Sequence, residues 1–125
     1  MKLGNCYEVH GRFILENLRE RDHYSLVHAE VMGQGELSGI PYGHCFLIDK
    51  RTDEVLDMSN KRNIRMPVAV YYLLGKIDQS RYWDDDLGIV NRTPKIYEYT
   101  PGEAIEWMSE TGTFGPWELE TENGY

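Results

Sequence analysis

The sequence predicts an α+β fold: an N-terminal helix packed on an antiparallel β-sheet, with additional helices toward the C-terminus. Three observations predict it. Residues 5–21 carry apolar side chains at helical spacing, residues 24–32 and 42–49 alternate in the manner of strands, and the stretches around 67–75 and 100–112 are bounded by helix start and stop residues. A chain of 125 residues has the length of one domain, taken as residues 1–125, with a single core.

The first helix is expected over NCYEVHGRFILENLRER, with Asn5 as its N-cap, because an asparagine side-chain oxygen can accept an orphan N–H of the first turn. Projected at helical pitch, Cys6, Val9, His10, Phe13 and Asn17 form one stripe, with Ile14 and Leu18 beside it. Gly11 costs about 1 kcal/mol against alanine in a helix interior, a cost that close packing of a strand would explain.

YSLVHAEVM (24–32) reads as a strand and the GQGELSG segment after it as a loop. YGHCFLID (42–49), the KRTD turn and EVLDMSN then read as a β-hairpin. Pro67 opens a short apolar helix, PVAVYYLLG, that Gly75 closes. DQSRYWDDDLG (78–88) reads as an exposed loop and KIYEYT (95–100) as a strand. Thr100-Pro101-Gly102-Glu103 reads as a capped start to a helix ending at Gly112. Phe114, Pro116 and Trp117 are expected to fold back on the domain, ahead of a polar end.

The formal net charge of −8 opposes nucleic-acid phosphates or an anionic membrane as partners, and favours a protein or peptide of neutral or basic character. Lys61, Arg62 and Arg65 form a local basic spot that could serve a small anion. The sequence shows neither an apolar run of spanning length nor a basic segment followed by a hydrophobic one, so a cytoplasmic location is expected. In a reducing compartment the two cysteines are expected as free thiols.

The chemistry rests on Cys6. An ordinary cysteine is only a few per cent thiolate at neutral pH, and full ionisation is equivalent to about 2 kcal/mol of barrier. A helix N-terminus favours the anionic sulfur by about 0.3–2 kcal/mol, and a neighbouring imidazolium does more. Cys6 is placed for the first, and His44 is the candidate for the second. Strand alternation puts His44, Phe46 and Ile48 on one face and Cys45 and Leu47 on the other, so Cys45 is expected in the core. With a four-residue turn His44 falls opposite Ser59 and shares its face with Asp57, which becomes the candidate to orient the imidazole. A one-residue slip would substitute Asn60. The backbone N–H of Cys6 is one candidate oxyanion donor, with Asn5, Tyr7, Tyr42 or His28 as a second. His28 is also a candidate alternative base or packed core residue, and His10 is expected as a neighbour or solvent contact.

A helix beginning at Cys6 (GNCYEVHGRFIL), a glycine-preceded His strand (YGHCFLID) and an acid-bearing strand (EVLDMSN) together resemble the minimal core of papain-like thiol enzymes. The nearest branches are the transglutaminase-like and NlpC/P60-type groups. The resemblance covers residues 4–60 and implies a Cys6, His44, Asp57 triad that acts on an amide as a cysteine peptidase, amidase, deamidase or amine acyltransferase, with no cofactor. It departs from the NlpC/P60 pattern at Asn5-Cys6-Tyr7, where Asp-Cys followed by small residues is usual. In general character the chain also resembles small phage proteins.

Other patterns point to less specific roles. No paired ligand spacing suggests a structural zinc site, and Trp83-Asp84-Asp85-Asp86 lacks the glycine and distal glutamate of a calcium loop, so it reads as a solvated acidic segment. Gly33, Gly35 and Gly39 do not form a phosphate loop and suggest a flap beside His44. The rival class is a non-catalytic, acidic binding or inhibitor protein that occupies a basic surface of a host protein.

Overall fold

The computed structural model describes residues 5–32, 41–77, 81–91 and 95–120. The elements run in chain order as α1 (Cys6–Glu16), β1 (Tyr24–Met32), β2 (Pro41–Asp49), β3 (Glu54–Asp57), β4 (Ile64–Pro67), α2 (Val68–Leu74), β5 (Arg81–Asp84), β6 (Gly88–Asn91), β7 (Ile96–Tyr99) and α3 (Pro101–Thr111). Five strands form one antiparallel sheet in the order β4-β3-β2-β1-β7, and β5 with β6 forms a separate hairpin. This is the expected α+β arrangement of an N-terminal helix, an antiparallel sheet and later helices.

Alternation along the strands divides the core into two layers. Leu26, Cys45, Leu47, Leu56 and Tyr99 meet Cys6, Tyr7 and Ile14 of α1 and Ala104 and Met108 of α3. On the other face Val27, Ala29, Phe46, Ile48 and Val55 are packed by Val68, Tyr71 and Tyr72 of α2. Burying each large apolar side chain, such as Ile14, Leu26, Phe46 or Leu47, stabilises the fold by about 1.5–3 kcal/mol.

The expected hairpin forms in the expected register, with Leu47 opposite Leu56, Ile48 opposite Val55 and Asp49 opposite Glu54. Its turn is anchored by Asp49, whose carboxylate accepts from the Arg51 backbone and guanidinium and from Arg65. Arg65 is thereby committed to an ion pair, while Lys61 and Arg62 remain exposed. The capping box at α3 is complete: Thr100 Oγ1 accepts from the Glu103 N–H, the Glu103 carboxylate accepts from the Thr100 N–H, and Gly112 closes the helix at φ 69°. The tail packs back as expected. The Trp117 ring lies 6.0 Å from Trp107 at an interplanar angle of 9° and 4.7 Å from His28.

Four expectations are corrected. The first helix stops at Glu16, because Asn17 bonds the Phe13 carbonyl through both its backbone N–H and its side-chain amide, and Arg21 takes the Ile14 carbonyl. Its buried stripe is Cys6, Tyr7, His10, Gly11 and Ile14, and Leu18 is exposed. The close approach at Gly11 comes from Phe114, since a Cβ there would lie 2.6 Å from the Phe114 ring, and the next nearest residue is Met108 of α3, not a strand residue. Within the segment expected as a loop at 78–88, residues 81–91 form the β5–β6 hairpin, with strand-forming Tyr82 and Trp83 opposite Val90 and Ile89 and the acidic residues at its turn. The glycine-rich flap and the polar C-terminal end lie outside the described residues.

Candidate active site

α1 brings Cys6 to the sheet at the place where β3 departs from β2. The pairing of β2 with β3 ends at Leu47 opposite Leu56, so β2 continues toward His44 past the last paired residue of β3. After Asp57 the chain enters a tight turn at Ser59–Lys61, with Asn60 and Lys61 at φ 54° and 62°. The start of α1 abuts this turn. The Asn60 N–H donates to Asn5 Oδ1 at 3.1 Å, and the Met58 N–H donates to His10 Nε2 at 2.9 Å. Asn5 therefore ties the helix to the turn; its side chain makes no cap bond to α1, contrary to the sequence expectation.

His10 is the second residue whose role differs from expectation. It is fully buried, and because Met58 donates to Nε2 the proton must sit on Nδ1, which donates to the Cys6 carbonyl at 2.7 Å. Burial is the main cause that lowers its pKa to about 4, so the ring stays neutral and acts as a clamp between the helix and the turn. It does not contact solvent.

Cys6 belongs to the cluster beneath α1, and its sulfur is near enough to His44, on the opposite face of β2, to help raise the imidazole pKa. His44 Nε2 lies 2.9 Å from Asp57 Oδ2, as the register argument required. With Nε2 committed to the carboxylate, Nδ1 is the nitrogen left for the sulfur.

The electrostatics favour a charged His44–Asp57 pair. Burial lowers the His44 pKa, but the hydrogen bond with Asp57 first of all, then the neighbouring Cys6 sulfur and the Asp57 charge, outweigh it, and the pKa rises to about 9. Asp57 is buried, which by itself would raise its pKa; the His44 hydrogen bond and charge and two bonds from Ser59 instead hold it well below the ordinary carboxylate range. Its Oδ1 accepts from Ser59 N–H at 2.9 Å and Ser59 Oγ at 2.6 Å, and its Oδ2 also accepts from the Tyr71 hydroxyl at 2.8 Å. Asn60 is not the orienter. It is exposed, and its backbone is engaged with Asn5.

The remaining candidates separate by face. Cys45 is a fully buried core thiol whose pKa burial drives up. His28 is fully buried on the α1 side among Tyr7, Tyr99 and Trp117, burial lowers its pKa to about 3, and neither ring nitrogen has a partner. It is a core residue and is not placed to serve as a base for Cys6. Tyr7 likewise has a buried, unpartnered hydroxyl in that cluster. Of the named oxyanion donors, Asn5 adjoins Cys6 in the chain, and the Tyr42 ring packs 6.0 Å from that of His44. Cys6 itself is 1% exposed, so a substrate reaches the sulfur only after a covering side chain or segment moves.

Sequence reasoning missed Ser59 as a carboxylate anchor and Tyr71 altogether. An Asp-x-Ser spacing is a recognisable local turn signal. Tyr71 sits in a short apolar helix, where its ring reads simply as packing. Among the described residues no group of His, Cys, Asp and Glu is arranged to hold a metal ion, and no helix is long and apolar enough to cross a membrane. Comparison with models of known families, with curated proteins and with solved structures finds no match.

Proposed function

We propose that the protein is a thiol-dependent enzyme acting on an amide bond, with Cys6 as nucleophile, His44 as acid and base, and Asp57 as the orienting carboxylate. The observation that carries this reading is the 2.9 Å contact of His44 Nε2 with Asp57 Oδ2, together with a cysteine at the start of α1 whose sulfur is near enough to help raise the His44 pKa. His44 Nδ1 takes the thiol proton, and the thiolate attacks the carbonyl carbon to form a carbon–sulfur bond and an oxyanion. The imidazolium then returns its proton to the leaving nitrogen as the carbon–nitrogen bond breaks, which leaves a thioester on Cys6. Water, or an acceptor amine, attacks that thioester while His44 removes its proton, and the thiolate departs. Peptidase, amidase, deamidase and acyl-transfer activities share every step but the last. The papain-like or transglutaminase-like kinship read from residues 4–60 is part of this proposal, as is a protein or peptide substrate with no resident cofactor.

A second reading is favoured by the 1% exposure of Cys6: an acidic binding protein in which the thiol is packing and the net charge of −8 steers the chain to a basic surface. Alkylation with iodoacetamide at pH 6, followed by intact mass, separates the two. The enzyme reading expects rapid single labelling at Cys6 that slows at least tenfold in His44→Ala. A thiol that resists labelling until the protein unfolds supports the binding protein.

A further inference from the structure

We propose that Tyr71 is a positioning residue for the Cys6–His44 couple: its hydroxyl donates to the Asp57 oxygen that also receives the His44 Nε2–H, and so fixes the carboxylate and shares its charge. This rests on the thiol-enzyme reading. An ionised carboxylate offers about four acceptor sites. In Asp57 all four are filled, by Ser59 N–H and Ser59 O–H on Oδ1 and by His44 and Tyr71 on Oδ2.

The two donors on Oδ2 come from different elements. His44 is on β2 and Tyr71 on α2, so the carboxylate is held between the sheet and the helix that covers it. The Tyr71 ring is itself fixed, packed 4.8 Å from Phe46, two residues along the strand from His44. A hydroxyl delivered by a packed ring loses little freedom when its hydrogen bond forms, and this is how a supporting residue holds a site to sub-ångström tolerance. Were Oδ2 served by His44 alone, the carboxylate could turn about its bond, and the Nε2–H direction that aims Nδ1 at the sulfur would be less defined.

Charge sharing gives the proposal its own signature. An oxygen that also accepts from a phenol holds the imidazolium proton less tightly than one that does not. In Tyr71→Phe the ring packing remains and only the donor is lost, so Asp57 becomes the stronger partner of His44. The nuclear magnetic resonance titration midpoint of the His44 ring is expected to rise by about 0.5 pH unit, a threefold gain in proton affinity, because the lost phenol no longer draws charge from the carboxylate. Val70→Ala, on the exposed side of the same helix, serves as the control for simple helix destabilisation and is expected to leave the midpoint in place. A Tyr71→Phe midpoint that coincides with wild type, or a Val70→Ala shift of equal size, overturns the proposal. Failure of the enzyme reading is a separate result: it is seen in wild-type and His44→Ala labelling at Cys6, which does not involve Tyr71.

Discussion

His44 Nε2 and Asp57 Oδ2 lie 2.9 Å apart, although the two are thirteen positions apart in the chain. A four-residue turn sets that distance, because it fixes which side chains of β2 and β3 share a face. The pair therefore depends on strand register first and on side-chain chemistry second.

Removing the charge of Asp57 exposes how much of the His44 basicity it supplies. In Asp57→Asn burial still disfavours the imidazolium while its strongest hydrogen-bond partner has lost its charge, so the His44 midpoint is expected to fall clearly below about 9. Loss of one partner from a buried charged pair also costs about 3–5 kcal/mol, readable as a lower urea midpoint at pH 7. A midpoint still near the wild-type value would show that Asp57 does not set it.

Stability is expected to crest near pH 6.5. His44, with its pKa raised from 6.5 to about 9, contributes stability that is full below 6.5 and is lost as pH climbs to 9. His10 and His28, lowered from 6.5 to about 4 and about 3, contribute stability that is present above 6.5 and is lost as pH falls toward those values. Depressed carboxylates at Asp49 and Asp57 add to the acid-side loss below about pH 4. Thermal melts across pH 4 to 10 check this, and a maximum displaced to pH 5 or to pH 9 contradicts it.

His28→Phe is expected to stabilise the protein at low pH. Both ring nitrogens are buried without partners, so the substitution keeps an aromatic ring against Tyr7, Tyr99 and Trp117 and removes two unmet polar atoms. The gain should be about 1–2 kcal/mol at pH 5 and smaller at pH 7, because the variant no longer has to keep this site neutral. Equal or greater acid sensitivity than wild type, measured by urea unfolding at both pH values, would count against this account.

Gly115→Ala should unseat the tail. The residue has φ 112°, and a Cβ there would lie 2.5 Å from His28 Cε1, within a ring that is packed on every side. Backbone strain and overpacking together are expected to cost about 2–4 kcal/mol. Tryptophan fluorescence should report Trp117 leaving Trp107 at lower denaturant than the global transition. A variant as stable as wild type would mean that the tail is not held by this contact.

Much of the fold was legible because it depends on local signals. Thr100 and Glu103 announce the start of α3, Gly112 its end, and the alternation in residues 24–32 marks β1 over its full length. The helix expected over residues 5–21 ran too long because Asn17 competes for the Phe13 carbonyl, a side-chain bond that periodicity does not register. β4 escaped notice because four residues with half-buried alternation carry little pattern of their own; it exists by pairing with β3.

The sequence by itself determined which residues could pair: turn length put His44 and Asp57 on one face, and alternation sent Cys45 to the other. Tertiary structure alone decided that Cys6 packs in the cluster beneath α1, that His10 is a clamp and not a solvent contact, and that Tyr71 completes the shell of Asp57. The physical reason is range. Strand register follows from covalent spacing between neighbouring strands, whereas the meeting of a helix start, a strand edge and a second helix depends on how two separate layers pack, which no local pattern encodes.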